Sequence, residues 1–592
     1  MKSSLLLEQI SLVVAALCVG LAPNALPWKL GFVFDVVVWA VRAALLLYVS
    51  QQLFFSWAYG AMMRRNKLNV DKYTKSEPGL RDRAFVAFTH WSTAGLGALS
   101  DSPRTPPIPL EAIPSPYVDK LRVNYDSASL AEASKSTSSR GGGAGGAPPR
   151  LAIRPTGEGT LFVGTIRMGF GHHRIAYAAS SWGLDAGMGT YFHDLLNISS
   201  RESKIIKKAD GWYSWGSRLA SELGGFVEKI WGALTLSGDE NSLRTSWQMA
   251  EELKPLMMNL DKDVPVITSH SLVGMVAVAC GFKHVINLVI DNFAQWFVVV
   301  PGAINLVQGP ANYEALLRMG IPPEKVRLAG HWVPKGVHAS IEPDCRARIA
   351  RALSKKSPRR LIVPVGGAGA QRKFVSGFVQ NLLQPLKDGK VRLFLNAGDH
   401  VHMHTSLQQC LVDMGVEFKL IGSFEELEQL VAKLKGGQKR DEKSGGGDAD
   451  EEPDEGFVEA VLAAEEGLPP VIMFAFDDYF PAVAATDVLM PVADILCCKP
   501  SELAFSPIPK LMIRRVGDHE AHSATRAAEI GDGTPEVRTL EAARDYVDRL
   551  CSVEKPDLFI SMNKQIMKNL SIGIYDGCKN AVKLAAELAK LD

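Results

Sequence analysis

The stretch TLFVGTIRMGFGHHRIAYAAS, residues 160–180, has the pattern of a strand, a tight glycine turn and a helix. Its first seven residues form a short apolar run, which is typical of a strand buried on both faces. Gly169 and Gly171 let the chain turn sharply and let a ligand approach the backbone, and the start of the helix offers free N–H groups to an anion or hydroxyl. The unit predicts the opening of a Rossmann-type domain.

A second unit of this kind, RRLIVPVGGAGAQRKF, occupies residues 359–374. It places Gly366, Gly367 and Gly369 directly after an apolar strand. Backbone N–H groups of such a loop are suited to a pyrophosphate, although a turn needed only for packing would have the same composition. The GxxxxGK[ST] pattern is absent from the sequence, so this is not the loop of an ATP-hydrolysing P-loop protein.

Apolar runs alternate with helical stretches through most of the chain, which indicates parallel α/β layers. We predict strands at residues 160–166, 264–268, 285–290, 303–308, 360–365, 391–397, 471–476, 488–490 and 510–513. The runs fall into two blocks. They predict an α/β fold of two Rossmann-like domains, residues 151–345 and 346–550, which face each other across a cleft. Residues 551–592 are predicted as C-terminal helices, because the stretch KNAVKLAAELAKL is amphipathic at the helical period.

Titratable residues follow the predicted strands. His172 and His173 lie in the first glycine turn, where an imidazole can act as a general base near neutral pH. A third group of titratable residues lies in segment 494–520. Lys499, Ser501 and Glu502 come directly after an apolar, strand-like run, and His519 and Glu520 stand at the end of the segment. Glu502 is placed to accept both hydroxyls of a ribose, and His519 and Glu520 to meet the sugar or phosphate end. The plainer alternative is a surface loop in which Glu502 caps a turn.

The N-terminal segment, residues 1–75, is predicted to be a membrane anchor. A short apolar run covers residues 10–22, and a longer one covers 30–49 with only Asp35 and Arg42 as charges. About 20 apolar residues span a bilayer, so the second run qualifies. The basic cluster that follows places the rest of the chain on the cytosolic side. A cleaved targeting sequence and a helix lying in the interface remain alternatives.

Low-complexity segments separate the predicted parts. Residues 76–150 are predicted as a partly disordered linker. Its residues 101–150 are rich in Pro, Ser and Gly, and residues 130–150 are predicted as a flexible tether. Residues 436–456 mix charge with glycine and are predicted as a disordered, solvated insertion in the second domain.

Composition narrows the function. The 592 residues include 65 Lys+Arg and 64 Asp+Glu, so the chain lacks the basic excess of a protein that mainly grips nucleic acid. Eight cysteines in so long a chain indicate a reducing compartment. His400, His402 and His404 alternate as on a strand, but without an evident fourth ligand they are expected to be loop histidines that face the cleft, and no metal site is predicted.

Several segments together resemble the GT-B glycosyltransferases of the branch that holds monogalactosyldiacylglycerol synthases, processive diacylglycerol glucosyltransferases and the peptidoglycan N-acetylglucosaminyltransferase. GFGHHRIAYA resembles that family's Gly-Gly-Gly-His-Arg turn, and VPVITSHSLVGMVAVA its Val-His-Pro element, with His270 at the His. LVIDNFAQWF, LVQGPANYEALLRMGIPPEKVRLAGHWVP, RRLIVPVGGAGAQ and ADILCCKPSELAF follow in the family's order. The resemblance covers residues 157–550, with Ser501 where the family has a glycine after Lys-Pro.

The resemblance implies transfer of a hexose from a nucleotide-diphosphate sugar, with a UDP-sugar as the expected donor, to a lipid or lipid-linked acceptor at a membrane surface. It implies inversion at the anomeric carbon, no divalent metal and no cofactor beyond the donor itself. His172 or His173 would be the base, and Asp291 would orient or replace it. Gly169, Gly171 and His270 would lie on the acceptor side. The last helix would cross back to the first domain, as it often does in GT-B proteins. The donor would be held by Gly366, Gly367, Gly369, Lys499, Ser501, Glu502, His519 and Glu520.

The expected partners are therefore a nucleotide-sugar, a lipid acceptor and a membrane, with no nucleic acid. The expected location is a membrane, with the catalytic part facing the cytosol or, alternatively, in a plastid envelope or stroma. A GT-B module that binds a nucleotide-sugar or a partner subunit without catalysis is the main rival. A serine hydrolase is disfavoured, because TSHSLVG departs from the G-x-S-x-G elbow at both glycines.

Overall fold

The computed structural model describes residues 28–65, 68–98, 106–131, 151–152, 159–208, 210–211, 239–366, 369, 371–436 and 453–590. Four predictions lie wholly or mostly outside these residues: the first apolar run, the predicted tether, Gly367 and the predicted insertion at 436–456.

The first domain is built on a mixed sheet. Its described strands are β1 (Leu110–Pro114), β2 (Arg122–Asp126), β3 (Leu151–Ala152), β4 (Thr160–Thr165), β5 (Gly189–Asp194), β6 (Val266–Thr268), β7 (Val285–Leu288), β8 (Ile304–Val307) and β9 (Val326–Leu328). The order across the sheet is β3-β1-β2-β5-β4-β6-β7-β8-β9. From β2 to β9 all neighbours are parallel, and β1 pairs antiparallel with β2 and β3 at one edge.

The second domain has a parallel sheet of β10 (Arg359–Pro364), β11 (Val391–Asn396), β12 (Phe418–Ile421), β13 (Val471–Phe474), β14 (Ile495–Cys498) and β15 (Lys510–Met512). The order is β12-β13-β11-β10-β14-β15. Every residue of β4 and β10 is buried, as their continuous apolar runs predict. The two sheets, parallel except at the β1–β3 edge of the first, confirm the predicted α/β fold of two Rossmann-like domains.

Helices cover the sheets and extend from both ends of the chain. N-terminal to the sheets are α1 (Trp28–Arg65) and α2 (Leu80–Ala98). The first domain carries α3 (Phe170–Asp185), α4 (Glu240–Leu253), α5 (Ser271–Cys280) and α6 (Pro310–Met319). The second carries α7 (Lys335–Ser354), α8 (Arg372–Asn381), α9 (Leu383–Lys387), α10 (Val401–Asp413), α11 (Phe424–Gly436), α12 (Glu455–Glu465), α13 (Tyr479–Leu489), α14 (Ala521–Glu529), α15 (Leu540–Leu550), α16 (Asp557–Ser571) and α17 (Gly577–Leu588).

In each sheet, the strand that precedes the glycine turn is also the point at which the strand order reverses. In the first sheet the chain proceeds from β4 to β5 on one side and to β6 on the other. In the second, β10 is followed by β11 on one side, and β14 is its other neighbour. A ligand of an open α/β sheet binds outside the carboxyl ends of the strands at such a switch point. The topology therefore indicates that a ligand would bind at the loops after β4, β6, β10 and β14.

The chain returns to the first domain at its end. Helix α17 packs against α3, and its Cys578, Ala581 and Ala585 are fully buried in the same core as first-domain residues. The predicted return of the last helix is confirmed. It joins the two domains by a second covalent path in addition to the 329–335 connection, which restricts how far they can separate.

Three features differ from the predictions. Residues 488–490, predicted as a strand, lie at the end of α13 and in the 3₁₀ turn that follows, because a short apolar run fits a buried helix as well as a strand. Within the predicted linker, residues 80–98 form α2 and residues 110–126 form a β-hairpin that extends the first sheet. Strands β3, β5, β9, β12 and β14 are not among the predicted strand ranges.

Candidate functional site

The β4–α3 turn carries the first group of site residues. Gly169 precedes α3 with φ 75° and ψ 175°, a conformation that strains residues with a side chain. Gly171 follows in the first turn of the helix, and a Cβ atom there would lie 2.8 Å from Glu502 Oε2. The Glu502 carboxylate comes from the second domain, so the two domains meet at this turn. A carboxylate near a helix N-terminus is also electrostatically favourable.

His172 is partly exposed at this turn and has a defined tautomer. Its Nδ1–H donates a 2.7 Å hydrogen bond to the carbonyl oxygen of Ser269, which follows β6. A carbonyl can only accept, so the proton lies on Nδ1 and Nε2 keeps its lone pair. Burial lowers the pKa of His172 below its ordinary value of 6.5, opposed by the bond to Ser269 and the charges of Asp291 and Glu502. The ring is therefore neutral at pH 7 and can accept a proton.

His173 points the other way, into the first domain. Its side chain is only 3% exposed, and its Nε2 lies 3.2 Å from Asp194 Oδ2, at the end of β5. The ring packs against Tyr177, Phe192 and Tyr479. Burial lowers the pKa of His173, while Asp194 opposes the shift. The structure thus separates two imidazoles that the sequence leaves equivalent: His172 borders the cleft and His173 fastens α3 to β5.

His270 and Asp291 lie beside His172. His270 caps α5, and its Nδ1 accepts a 3.1 Å hydrogen bond from the Leu272 backbone N–H, which places its proton on Nε2. The His270 and His172 rings are 4.3 Å apart between centroids. Asp291, in the loop after β7, is partly exposed, and its charge acts on His172. One potential proton acceptor and one donor therefore stand side by side at the edge of the first sheet.

The second glycine turn approaches the loop after β14. A Cβ atom on Gly366 would lie 3.0 Å from Lys499 Cε. Lys499 forms an ion pair with Glu520, which is buried and also accepts hydrogen bonds from the Val516 and Gly517 N–H groups. Burial raises the pKa of Glu520, but Lys499 and these hydrogen bonds more than offset it, so the pKa is lowered. Glu520 thus holds the Lys499 ammonium group close to the turn.

The remaining predicted donor residues are distributed around this turn. Ser501 and Glu502 are partly exposed at the mouth of a pocket between the domains. His519 is partly exposed and precedes Glu520 in the chain, and its charge, like that of Lys499, acts on the Glu520 carboxylate. Gly369 is buried, and its carbonyl accepts a 3.0 Å hydrogen bond from His402 Nε2. The pocket is lined by residues from both domains: Phe170, Arg174, Pro364, Val365, Gly366, Asn396, Thr486, Cys498, Lys499, Ser501, Glu502 and Leu503.

Sequence reasoning did not identify the contacts that close the domains on each other. Phe170 is 5% exposed and belongs to the core of the second domain, where a Cβ atom on Gly398 would lie 2.9 Å from its ring. Tyr479 donates a 2.6 Å hydrogen bond to the Gly169 carbonyl, and Arg174 Nη1 lies 2.7 Å from Asp487 Oδ1. The sequence signal that could have indicated this contact is the position of Phe170, a large aromatic residue between Gly169 and Gly171.

The histidine-rich segment lies in a helix and not in a loop or on a strand. His400 precedes α10, while His402 and His404 are in its first turn. His400 stacks near Phe170 at 5.4 Å between centroids. In the described part of the chain, no three His, Cys, Asp or Glu residues are grouped to hold a metal ion. His402 and His400 lie against the turn at Gly369.

Comparisons with known proteins match the chain in two parts. Residues 150–317 match the family model described as a domain of unknown function, DUF6937, and residues 321–586 match the one described as DUF6938. No curated protein matches the sequence.

Solved structures similar to the chain include UDP-GlcNAc 2-epimerase from Neisseria meningitidis bound to UDP-GlcNAc, at 11% identity and a TM-score of 0.38, with 73% of this chain and 100% of that chain covered. Trehalose 6-phosphate synthase from Burkholderia multivorans has 14% identity, a TM-score of 0.36 and coverages of 74% and 97%. The glycosyltransferase SnogD from Streptomyces nogalater has 12% identity, a TM-score of 0.35 and coverages of 73% and 100%. One fold hosts many activities, so function is inferred from the residues of the cleft.

Proposed function

We propose that the protein is a glycosyltransferase that moves a hexose from a nucleotide-diphosphate sugar, a UDP-sugar in the first instance, to a lipid or lipid-linked acceptor at a membrane surface. The observation that carries the proposal is the tautomer of His172. Its Nδ1–H is held by the Ser269 carbonyl at 2.7 Å, which leaves the lone pair on Nε2, and the charge of Glu502 in the second domain acts on this ring. Across the same cleft lie Glu502 and the Gly366–Lys499 pocket.

In this proposal the acceptor hydroxyl gives its proton to His172 Nε2. Its oxygen bonds to the anomeric carbon from the face opposite the leaving group, while the bond from that carbon to the diphosphate oxygen breaks. The electron pair of the broken bond stays on the nucleoside diphosphate. The configuration at the anomeric carbon is inverted, and Asp291 stabilises the imidazolium that forms.

The leaving diphosphate would be held at the second turn. The backbone N–H groups around Gly366 and the ammonium group of Lys499 would take up the charge that grows on it. Glu502 would accept hydrogen bonds from hydroxyl groups of the donor. In this proposal the positive charge of Lys499 stabilises the leaving diphosphate, a task that a divalent metal ion performs in other enzymes.

The lipid acceptor is supported by the N-terminal helix. Residues Val36–Arg64 of α1 are long and apolar enough to cross a membrane, and an 18-residue window within this range has no residue buried in the structure. Such a helix would hold the cleft near the bilayer and raise the local concentration of a lipid acceptor. The basic residues after it support a cytosolic position for the domains in this proposal.

The proposal is tested by supplying the full-length protein with UDP- and GDP-sugars and mixed lipid vesicles, and by following labelled sugar into the lipid phase. We expect transfer from one nucleotide-sugar class and at least tenfold loss of transfer in Glu502→Ala. Glu587→Ala, on the C-terminal helix α17, is the matched control. Absence of transfer from every donor, with a folded protein, would contradict the proposal.

The pH profile of kcat/KM gives a second test. His172 must be neutral to accept a proton, and burial lowers its pKa below 6.5, so activity should be constant near pH 7 and fall only below the ordinary histidine range. The Asp291 charge raises this pKa. Asp291→Asn should therefore shift the acid limb to lower pH. An acid limb that moves to higher pH would contradict the assignment.

A second candidate is a GT-B module that binds a nucleotide-sugar or a partner subunit without catalysis. The observation that favours it is the filling of the cleft: Phe170 is in the core of the second domain, and the Glu502 carboxylate lies against Gly171. Saturable nucleotide-sugar binding with no transfer to any lipid and no donor hydrolysis would favour this candidate.

A further inference from the structure

The two N-terminal helices form an antiparallel hairpin. The Phe55 and Phe88 rings meet edge to face at 5.7 Å, and nearer the domain the Arg83 guanidinium lies 5.8 Å from the centre of the Tyr59 ring. As the chain advances along α1, its partners on α2 therefore come earlier in sequence. Phe55, Tyr59, Met62, Ala84, Val86 and Ala87 form the small core between the two helices.

One end of the hairpin is fixed to the first domain. Asp71, in the connection between the two helices, accepts hydrogen bonds from Tyr59 (3.0 Å) and from Arg244 of α4 (2.8 Å). Asp82, near the start of α2, accepts one from Asn241 at 3.1 Å. The rest of both helices extends away from the domain, since their exposed apolar residues lie beyond these contacts.

Helix α1 is longer than a bilayer requires. Its 38 residues extend about 57 Å at 1.5 Å per residue, whereas the hydrocarbon core is about 30 Å thick. Either the distal half of α1 spans the membrane and the hairpin is a stalk in water, or the membrane begins near the domain and α2 is immersed beside α1. These two placements predict different surfaces for α2.

The surface of α2 favours immersion. Phe85 is 59% exposed, Phe88 46% and Trp91 61%, and the adjoining face of α1 exposes Phe54 and Trp57. A continuous aromatic surface of this kind is unfavourable in water. It also continues the exposed apolar surface of the candidate membrane span.

The basic residue Arg81 and the aromatic residues of α2 follow one another in the order that is typical of a membrane interface. Arg81 is exposed at the end nearest the domain, and the aromatic residues lie progressively farther from it. A basic residue at headgroup level followed by aromatic residues is typical of membrane interfaces. The Thr89 hydroxyl donates a 2.8 Å hydrogen bond to the Phe85 carbonyl within the helix, so it does not require water.

We propose that α2 is a second membrane-embedded element: the α1–α2 hairpin is immersed in one leaflet, with Phe85, Phe88 and Trp91 against lipid and Arg81 among the headgroups. The inference rests on the proposed attachment by α1. The first domain is then held directly at the membrane surface by two helices, and not at the end of a flexible single-helix tether. Trp91 lies about 15 Å from the level of Arg81 along the helix, well inside the hydrocarbon.

Nitroxide accessibility tests this placement in the full chain. Single cysteines are introduced at Trp91→Cys and Phe85→Cys on α2, Leu47→Cys on α1 and Val412→Cys on α10, the last as a solvent control that is 58% exposed. The proteins are spin-labelled and reconstituted in vesicles of phosphatidylcholine and phosphatidylglycerol. The accessibility of each nitroxide is then measured from the increase in its relaxation rate caused by oxygen or by a water-soluble nickel chelate. The unsubstituted chain is labelled in parallel to subtract the signal of native cysteines.

We expect positions 47, 85 and 91 to be accessible to oxygen and protected from nickel, with position 91 deeper than 85, and position 412 to show the reverse. Nickel accessibility at 85 and 91 with lipid exposure at 47 would overturn the inference and leave the anchor intact. Nickel accessibility at all three would overturn the anchor as well. Protection from both reagents at 85 and 91 would mean that protein covers α2, which also overturns the inference.

Discussion

Replacing His172 by alanine is expected to lower the turnover of sugar transfer about 10²–10⁴-fold, which is the usual contribution of a general base. The expectation follows from the tautomer of His172: the 2.7 Å bond of Nδ1–H to the Ser269 carbonyl leaves Nε2 with the lone pair that accepts the proton in the proposed reaction. Binding of the nucleotide-sugar should change little, because the donor pocket is formed mainly by residues of the second domain. Single-turnover transfer and equilibrium titration measure the two effects separately.

Two variants distinguish catalysis from structure in this experiment. His172→Gln retains a side-chain N–H for the Ser269 carbonyl but has no basic nitrogen, so it should lose as much turnover as alanine while unfolding at the wild-type temperature. His404→Ala removes an imidazole on α10 and should keep full turnover. Wild-type turnover in a folded His172→Ala protein would remove His172 from the reaction.

Replacing Gly577 by alanine is expected to lower the free energy of unfolding by about 3 kcal/mol, at the upper end of overpacking costs. A Cβ atom there would lie 2.4 Å from the Gly330 carbonyl oxygen and 2.5 Å from that of His331. Both obstacles are backbone atoms and cannot rotate away. Relief requires a shift of the start of α17, which breaks the 3.0 Å hydrogen bond from Gly577 N–H to the His331 carbonyl.

Gly336→Ala is the matched control for this substitution. Gly336 lies in the first turn of α7, and a Cβ atom there meets no heavy atom within 4 Å. Alanine also favours a helix over glycine, so this variant should be as stable as wild type or slightly more stable. Denaturant unfolding of the three proteins makes the comparison. Equal stability of Gly577→Ala and Gly336→Ala would show that the junction between α17 and the first domain is looser than described.

The two strand–turn–helix units could be predicted because their information is local. β4 and β10 are short apolar runs that end in glycines, and each turn is specified by residues within a few positions of it. The β1–β2 hairpin could not be predicted in the same way. It lies in a Pro- and Ser-rich segment, and it is stabilised by pairing with β5, about 70 residues farther along.

The roles of His172 and His173 could not be separated from sequence. Adjacent residues on a helix point about 100° apart, so one imidazole faces the cleft and the other faces the core. The choice depends on where the helix begins and on two distant partners, Ser269 and Asp194. The insertion of Phe170 into the second domain was likewise inaccessible, because it depends on how the two domains are oriented.

A site shared by both glycine turns is tested most directly by hydrogen–deuterium exchange of the full-length protein with and without saturating UDP-sugar. One ligand that spans the cleft should slow exchange in the peptide covering residues 162–175 and in the peptide covering 359–374. Exchange in a distant peptide of the first domain, residues 310–319, should not change. Protection of one turn without the other, or of neither at saturating ligand, would contradict a site built from both domains.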